Sequence, residues 1–197
     1  MDPGLACGST SEQLNHYFEG GDPLVLVERL QSHLSSDVIK KMKEMATGQK
    51  ISVRTRGVSG IAKIVMKASV GSDSSDNGVI RMEIDEPVTG MTLDALDEEL
   101  CAAGYRYQAK WSRSREEYQL GTITVCLDKN AGYGYLVEFE KVITDPAQMV
   151  EAKREIEDLM TTLGVDELPQ DRLERMFAYY NEHWPEYYGT EKVFVVE

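Results

Sequence analysis

Several segments between residues 51 and 140 carry charged residues at alternating positions. They are Arg54 and Arg56 in ISVRTRG, Lys63 and Lys67 in AKIVMK, and Arg81, Glu83 and Asp85 in RMEID. Arg113, Arg115 and Glu117 follow in SRSREEY, then Glu138 and Glu140 in LVEFE. A strand sends successive side chains to opposite faces, so each set points one way. Neighbouring like charges repel unless an anion lies between the guanidiniums or a cation between the carboxylates. Planar guanidinium groups suit bidentate phosphate binding, and oxygen-only clusters suit Mg²⁺ or Mn²⁺. Together they meet the needs of phosphoryl transfer, which are charge neutralisation and an activated water. A sheet face open to solvent is the plainer reading of such alternation. The like-charged pairs tell against it.

The elements that must position these residues read as α+β. Asp22-Pro23 provides an N-cap and a first-turn proline for a helix to about Leu34, and a second helix runs from Ser35 to Thr47. A short strand, QLNHYF, precedes them. Strands are predicted near 50–56, 61–69 and 78–86, the last two joined by the turn VGSDSSDNG. Thr92 caps a helix to Ala103, and strands follow near 106–119, 122–128 and 134–143. Asp145-Pro146 opens a long helix ending at Gly164; a last helix near 171–183 leads to an aromatic tail and a terminal strand, KVFVVE. Strands linked by short turns are antiparallel, and closing such a sheet into a barrel removes its edges. Residues 1–12 are expected to be a disordered tail and 13–197 a single domain.

Composition narrows the function. The chain has 197 residues and a net charge of −13, from 34 acidic and 21 basic residues. An acidic surface repels nucleic acid, and no basic stripe with interleaved aromatics offsets it. No apolar run approaches the roughly 18 residues that span a bilayer, and no signal-like segment opens the chain. Cys7, Cys101 and Cys126 lack zinc or redox spacing, so reduced thiols and a cytoplasmic location are expected. ATGQKIS lacks the first glycine of a P-loop, and NAGYGY sits between strands as a hairpin turn. His16, His33 and His183 are scattered without metal spacing and read as surface or core residues.

One order of motifs is specific. It runs R-x-R, a strand ending in Lys67, R-x-E-x-D, R-x-R-x-x-Y, and then VCLDKNAGYGYLVEFE before a helix ending in LG. This order resembles the CYTH family, which comprises class IV adenylyl cyclases, thiamine triphosphatases and inorganic triphosphatases, over roughly residues 13–180. The resemblance implies an antiparallel barrel around a charged tunnel that holds a triphosphate. Phosphate-binding positions would fall on Arg54, Arg56, Lys67, Arg113 and Arg115, joined by Arg81. Metal-binding acids would fall on Glu138 and Glu140, supported by Glu83 and Asp85, with Asp128 among the catalytic groups. The implied activity is Mg²⁺- or Mn²⁺-dependent hydrolysis of a small phosphoanhydride or phosphate ester. Cyclisation of ATP and polyphosphate binding without efficient turnover are the alternatives. The family's Glu-x-Glu-x-Lys first strand has no counterpart upstream of Gln13. The expectation is therefore a chain lacking that strand, or one in which another segment, such as Glu191–Glu197, fills its place.

Overall fold

The computed structural model describes residues 7–47, 51–69 and 81–195. Alternation of apolar and charged residues resolves into a seven-stranded antiparallel sheet with its first three helices on the apolar side, while the last helix stacks Tyr180 on Trp111 of the opposite face. In chain order the elements are β1 (Cys7–Gly20), α1 (Pro23–Leu30), α2 (Ser36–Ala46), β2 (Ile51–Val58) and β3 (Ile61–Ser69). Then come β4 (Arg81–Pro87), α3 (Leu93–Ala102), β5 (Tyr105–Leu120), β6 (Ile123–Asn130) and β7 (Gly134–Glu140). A 3-10 turn (Pro146–Gln148), α4 (Met149–Leu163) and α5 (Gln170–Tyr187) complete the chain.

The spatial order is β4-β3-β2-β1-β5-β6-β7, with the two longest strands, β1 and β5, side by side at the centre. The α+β class and antiparallel pairing are as expected. Closure is not: among the described residues β4 and β7 end the sheet and are not hydrogen-bonded to each other. Charge still acts between the edges: Lys67 of β3 favours the ionised form of Glu140 on β7, and Glu83 of β4 opposes it. Arg54 of β2 and Lys67 of β3 interact with Glu138 of β7, four and five strands away in the spatial order, so the sheet curls with its charged face concave and its apolar face convex.

The convex face holds the main core. Ile64 and Met66 of β3 pack with Leu26 and Leu30 of α1, Met42 and Met45 of α2, and Leu96 and Leu100 of α3. Caps begin these helices where the sequence places them: Asp22, Ser35 and Thr92 each accept hydrogen bonds from first-turn amides. Burial of the large apolar side chains is worth about 1.5–3 kcal/mol each. This is what fixes the opposite, polar face in position.

Two expectations about the chain ends are corrected. The first strand is not the short QLNHYF segment, since residues 7–12 extend it and pair with β5, Ser11 opposite Arg115 and Gln13 opposite Arg113. Small polar residues hide such a strand from a hydrophobic pattern, because its inward side faces the polar channel. The segment near Val193 forms one isolated parallel bridge, to Gly132, and not a strand along the open edge. Its neighbour α5 covers the part of β5 that β6 leaves unpaired. There the Tyr180 hydroxyl donates to the Lys110 carbonyl at 2.8 Å, and the Gly189 amide donates to Ser112 Oγ at 2.8 Å. Gly132 is required at this junction: its φ is +81°, and a Cβ would lie 2.6 Å from the Tyr180 ring. The turn expected between β3 and β4 lies outside the described residues.

Candidate active site on the concave face

Strand register brings the channel residues together. Tyr17 of β1 pairs with Arg54 of β2, and Asn15 with Arg56. On its other side β1 sets Gln13 against Arg113 and Ser11 against Arg115 of β5. Arg115 in turn opposes Asp128 of β6, and Cys126 opposes Glu138 of β7. Lys67 and Glu83 are opposite one another on β3 and β4. Side chains in register on one face are direct neighbours, so the polar groups converge.

The arginines are fixed by oxygens of two kinds. Asp128, 1% exposed, accepts from Arg113 Nη1 at 2.6 Å and takes Arg115 in a two-pronged pair at 2.7 and 2.6 Å. Arg115 also bonds Glu138, which lies 3.7 Å from Arg113. Arg56 pairs with Asp85, which Lys63 approaches at 3.2 Å, and Lys67 pairs with Glu83 at 2.9 Å. The second kind comes from β1 and is neutral. Gln13 Oε1 accepts from Arg113 Nε at 3.0 Å, Asn15 Oδ1 from Arg56 Nε at 2.9 Å, and the Tyr17 hydroxyl from Arg54 Nη1.

Charge is unevenly balanced across this face. Burial, together with repulsion from Arg54 and Arg113, pulls Arg56 down to about 10. Burial would raise the Tyr17 phenol, but Arg54 and Arg113 outweigh it and lower the value. Burial likewise acts to raise Glu138, and Arg115 and Arg113 hold it below the usual carboxylate range. Glu140 moves the other way, pushed up by burial and by Glu138. Arg54 is 9% exposed, and its Nε has no hydrogen-bond partner among the described residues. A buried guanidinium donor without an acceptor is costly unless a ligand supplies one.

The acids do not form a cage. Among the described residues no three His, Cys, Asp or Glu side chains gather to hold a metal ion. Glu83, Asp85, Asp128 and Glu138 each pair with a cationic side chain. The adjacent Glu138 and Glu140 suit a cation that brings phosphate oxygens as most of its ligands, the usual habit of Mg²⁺.

Arg54, Arg56, Lys67, Arg113, Arg115, Glu83, Asp85, Asp128, Glu138 and Glu140 therefore share the concave face. Arg81 occupies the β4 position opposite Ser69, and its side chain lies outside the described residues. Sequence reasoning missed Gln13, Asn15, Tyr17 and the contact of Lys63 with Asp85. The available signal was Ser11-x-Gln13-x-Asn15-x-Tyr17, a period-two polar pattern without charge.

His16 points to the opposite face. Its Nδ1 lies 2.7 Å from Asp97 and its Nε2 lies 2.7 Å from the Tyr188 hydroxyl. Asp97 also accepts from Thr55 at 2.5 Å and Tyr107 at 2.7 Å. This buried network ties β1, β2, α3, β5 and the chain after α5 together behind the channel.

Comparison with known proteins bears on the family and the fold. The CYTH domain family model matches residues 42–172. A Pyrococcus furiosus protein, Pfu-838710-001, superposes with a TM-score of 0.60 at 20% identity, covering 83% of this chain and 79% of that one. PH1012 from Pyrococcus horikoshii OT3 gives 0.59 at 19% identity over the same shares. A Vibrio parahaemolyticus protein whose name carries a provisional adenylate cyclase assignment gives 0.52 at 13%, covering 89% and 84%. At these identities the likeness is one of fold. No curated protein matches the sequence significantly.

Proposed function

This chain belongs to the CYTH domain family, and from that premise we propose that its concave channel binds a triphosphate chain and supports hydrolysis of a phosphoanhydride bond. The observation that carries this reading is the convergence of Arg54, Arg56, Arg113 and Arg115 on one face, with the buried Arg54 Nε lacking an acceptor among the described residues. Phosphate oxygens are acceptors of the right geometry for such donors.

In this reading Arg54, Arg56 and Lys67 bind phosphate oxygens from one wall, with Arg81 beside them on β4. Arg113 and Arg115 bind from the other wall, held at a fixed angle by Asp128. Glu83 and Asp85 keep Lys67, Lys63 and Arg56 extended along the channel. Mg²⁺ or Mn²⁺ arriving with the phosphates, with Glu138 and Glu140 as its protein ligands, would neutralise charge and polarise the attacking water. Positioning of these groups before substrate arrives is the main contribution of the protein. The partner is a small molecule, since a net charge of −13 repels nucleic acid. A cytoplasmic site of action fits thiols without metal or redox spacing.

A second reading, binding without efficient turnover, draws on the ion pairs that occupy Asp128, Glu138, Asp85 and Glu83. One assay separates the readings. Phosphate release is measured from tripolyphosphate, thiamine triphosphate and ATP with Mg²⁺ or Mn²⁺, with cyclic AMP followed in parallel. Metal-dependent phosphate release supports hydrolysis. Cyclic AMP would replace it with cyclisation, and saturable binding without release would replace it with the second reading.

A further inference from the structure

The first strand contributes oxygens, yet no charge, to the arginines. On the concave side of β1, Gln13, Asn15 and Tyr17 each bond a different one: Arg113, Arg56 and Arg54. The Gln13 amide is oriented for this, because its Nε2 donates to Ser11 Oγ at 3.0 Å and leaves Oε1 for Arg113. Gln13 and Asn15 are 7% and 2% exposed, so these contacts are sheltered from water. The Tyr17 ring lies 5.2 Å from the Arg54 guanidinium carbon, which packs the cation as well as bonding it.

We infer that Gln13, Asn15 and Tyr17 are positioning residues for polyphosphate recognition: each aims one guanidinium without cancelling its charge, so that the phosphate chain binds with no divalent cation. The inference rests on the reading of the channel as a phosphate site. A carboxylate in any of the three places would orient an arginine equally well, and would neutralise it. The acids that are present are already shared. Asp85 serves both Arg56 and Lys63, and Asp128 serves both Arg113 and Arg115. Arg54 is held by the neutral Tyr17 hydroxyl, and its buried Nε is unpaired among the described residues. Mutual repulsion among Arg54, Arg56 and Arg113 is the cost of this arrangement, and it is what lowers Arg56 after burial. A polyanion relieves that repulsion directly, without a metal ion to mediate it.

The test is calorimetric titration with tripolyphosphate, in EDTA and then in Mg²⁺, of the wild type, Gln13→Glu, Asn15→Asp and Gln13→Ala. Gln13→Glu and Asn15→Asp keep the accepting oxygen and add a charge, so a purely structural role predicts unchanged binding. The inference predicts saturable wild-type binding in EDTA. It predicts a loss on the order of tenfold or more in Gln13→Glu and Asn15→Asp, with thermal unfolding unchanged or raised, and partial recovery in Mg²⁺. Gln13→Ala, which frees Arg113 without adding charge, loses less. Wild-type binding seen only in Mg²⁺, or charged variants that bind as wild type in EDTA, overturns the inference and leaves the proposed function standing. No binding in either buffer overturns the proposed function as well. If Asn15→Asp does not fold, Gln13→Glu decides the outcome alone.

Discussion

Arg115 and Asp128 face each other across β5 and β6 as a two-pronged pair, Nε to Oδ1 at 2.7 Å and Nη2 to Oδ2 at 2.6 Å. Arg113 shares the same carboxylate. Asp128→Asn removes the buried carboxylate that Arg113 and Arg115 share, leaving Glu138 to balance both guanidiniums. It should cost about 3 kcal/mol of stability, the range for breaking a buried pair, in urea unfolding followed by circular dichroism. Turnover falls with it. Unchanged stability would show that the arginines have other compensation.

Arg54→Lys retains the charge at the channel wall and loses the planar fork. Affinity for tripolyphosphate should fall roughly tenfold while the unfolding temperature holds, because lysine offers a point charge where two aligned donors stood. Calorimetry on the purified variant checks this.

Tyr17 predicts an alkaline limit to anion binding. Arg54 and Arg113 lower its phenol, against burial and the Glu138 charge, which both raise it. Ionisation above that lowered value places a negative charge beside Arg54 and repels phosphate. Binding should therefore weaken below the ordinary tyrosine range of about 10. Tyr17→Phe should move the limit upward, to the region near about 10 where Arg56 loses its proton. An affinity profile between neutral and alkaline pH gives the answer.

Glu138→Gln should abolish metal-dependent phosphate release while leaving the fold intact. Tripolyphosphate binding should persist or tighten, since Arg115 and Arg113 lose a competing carboxylate. Retained turnover would exclude Glu138 as an essential ligand.

The Asp97 network is a stability element separate from the channel. Hydrogen bonds from His16, Thr55 and Tyr107 lower its carboxyl against burial, which raises it. A depressed folded value stabilises the fold above the unfolded value of about 4, and the contribution is lost as pH falls through the folded value. Asp97→Asn should cost about 1–3 kcal/mol at neutral pH and flatten the acid side of the stability profile. Tripolyphosphate affinity should not change.

The charged residues of the channel were legible in the sequence because alternation and like-charge pairing survive without any knowledge of register. Arg54 with Arg56, Arg113 with Arg115, and Glu138 with Glu140 were each visible that way. The first strand was not. Its inward residues, Ser11, Gln13, Asn15 and Tyr17, carry no charge, and of its other face His16 and Phe18 are buried while Glu12 and Leu14 are exposed. Neither apolar nor ionic periodicity marks it. Only its pairing with both β2 and β5 reveals that each neutral oxygen meets an arginine. Closure was not legible for a related reason: among the described residues β4 and β7 end the sheet, and strand sequences do not report distances between edges.

Calorimetric titration of tripolyphosphate, with Mg²⁺ present, into the wild type and Arg54→Ala asks most directly whether the channel is a phosphate site. Saturable one-site binding to the wild type is expected, weakened on the order of tenfold or more in Arg54→Ala. Absence of saturable binding, or equal affinity in the two proteins, would contradict it.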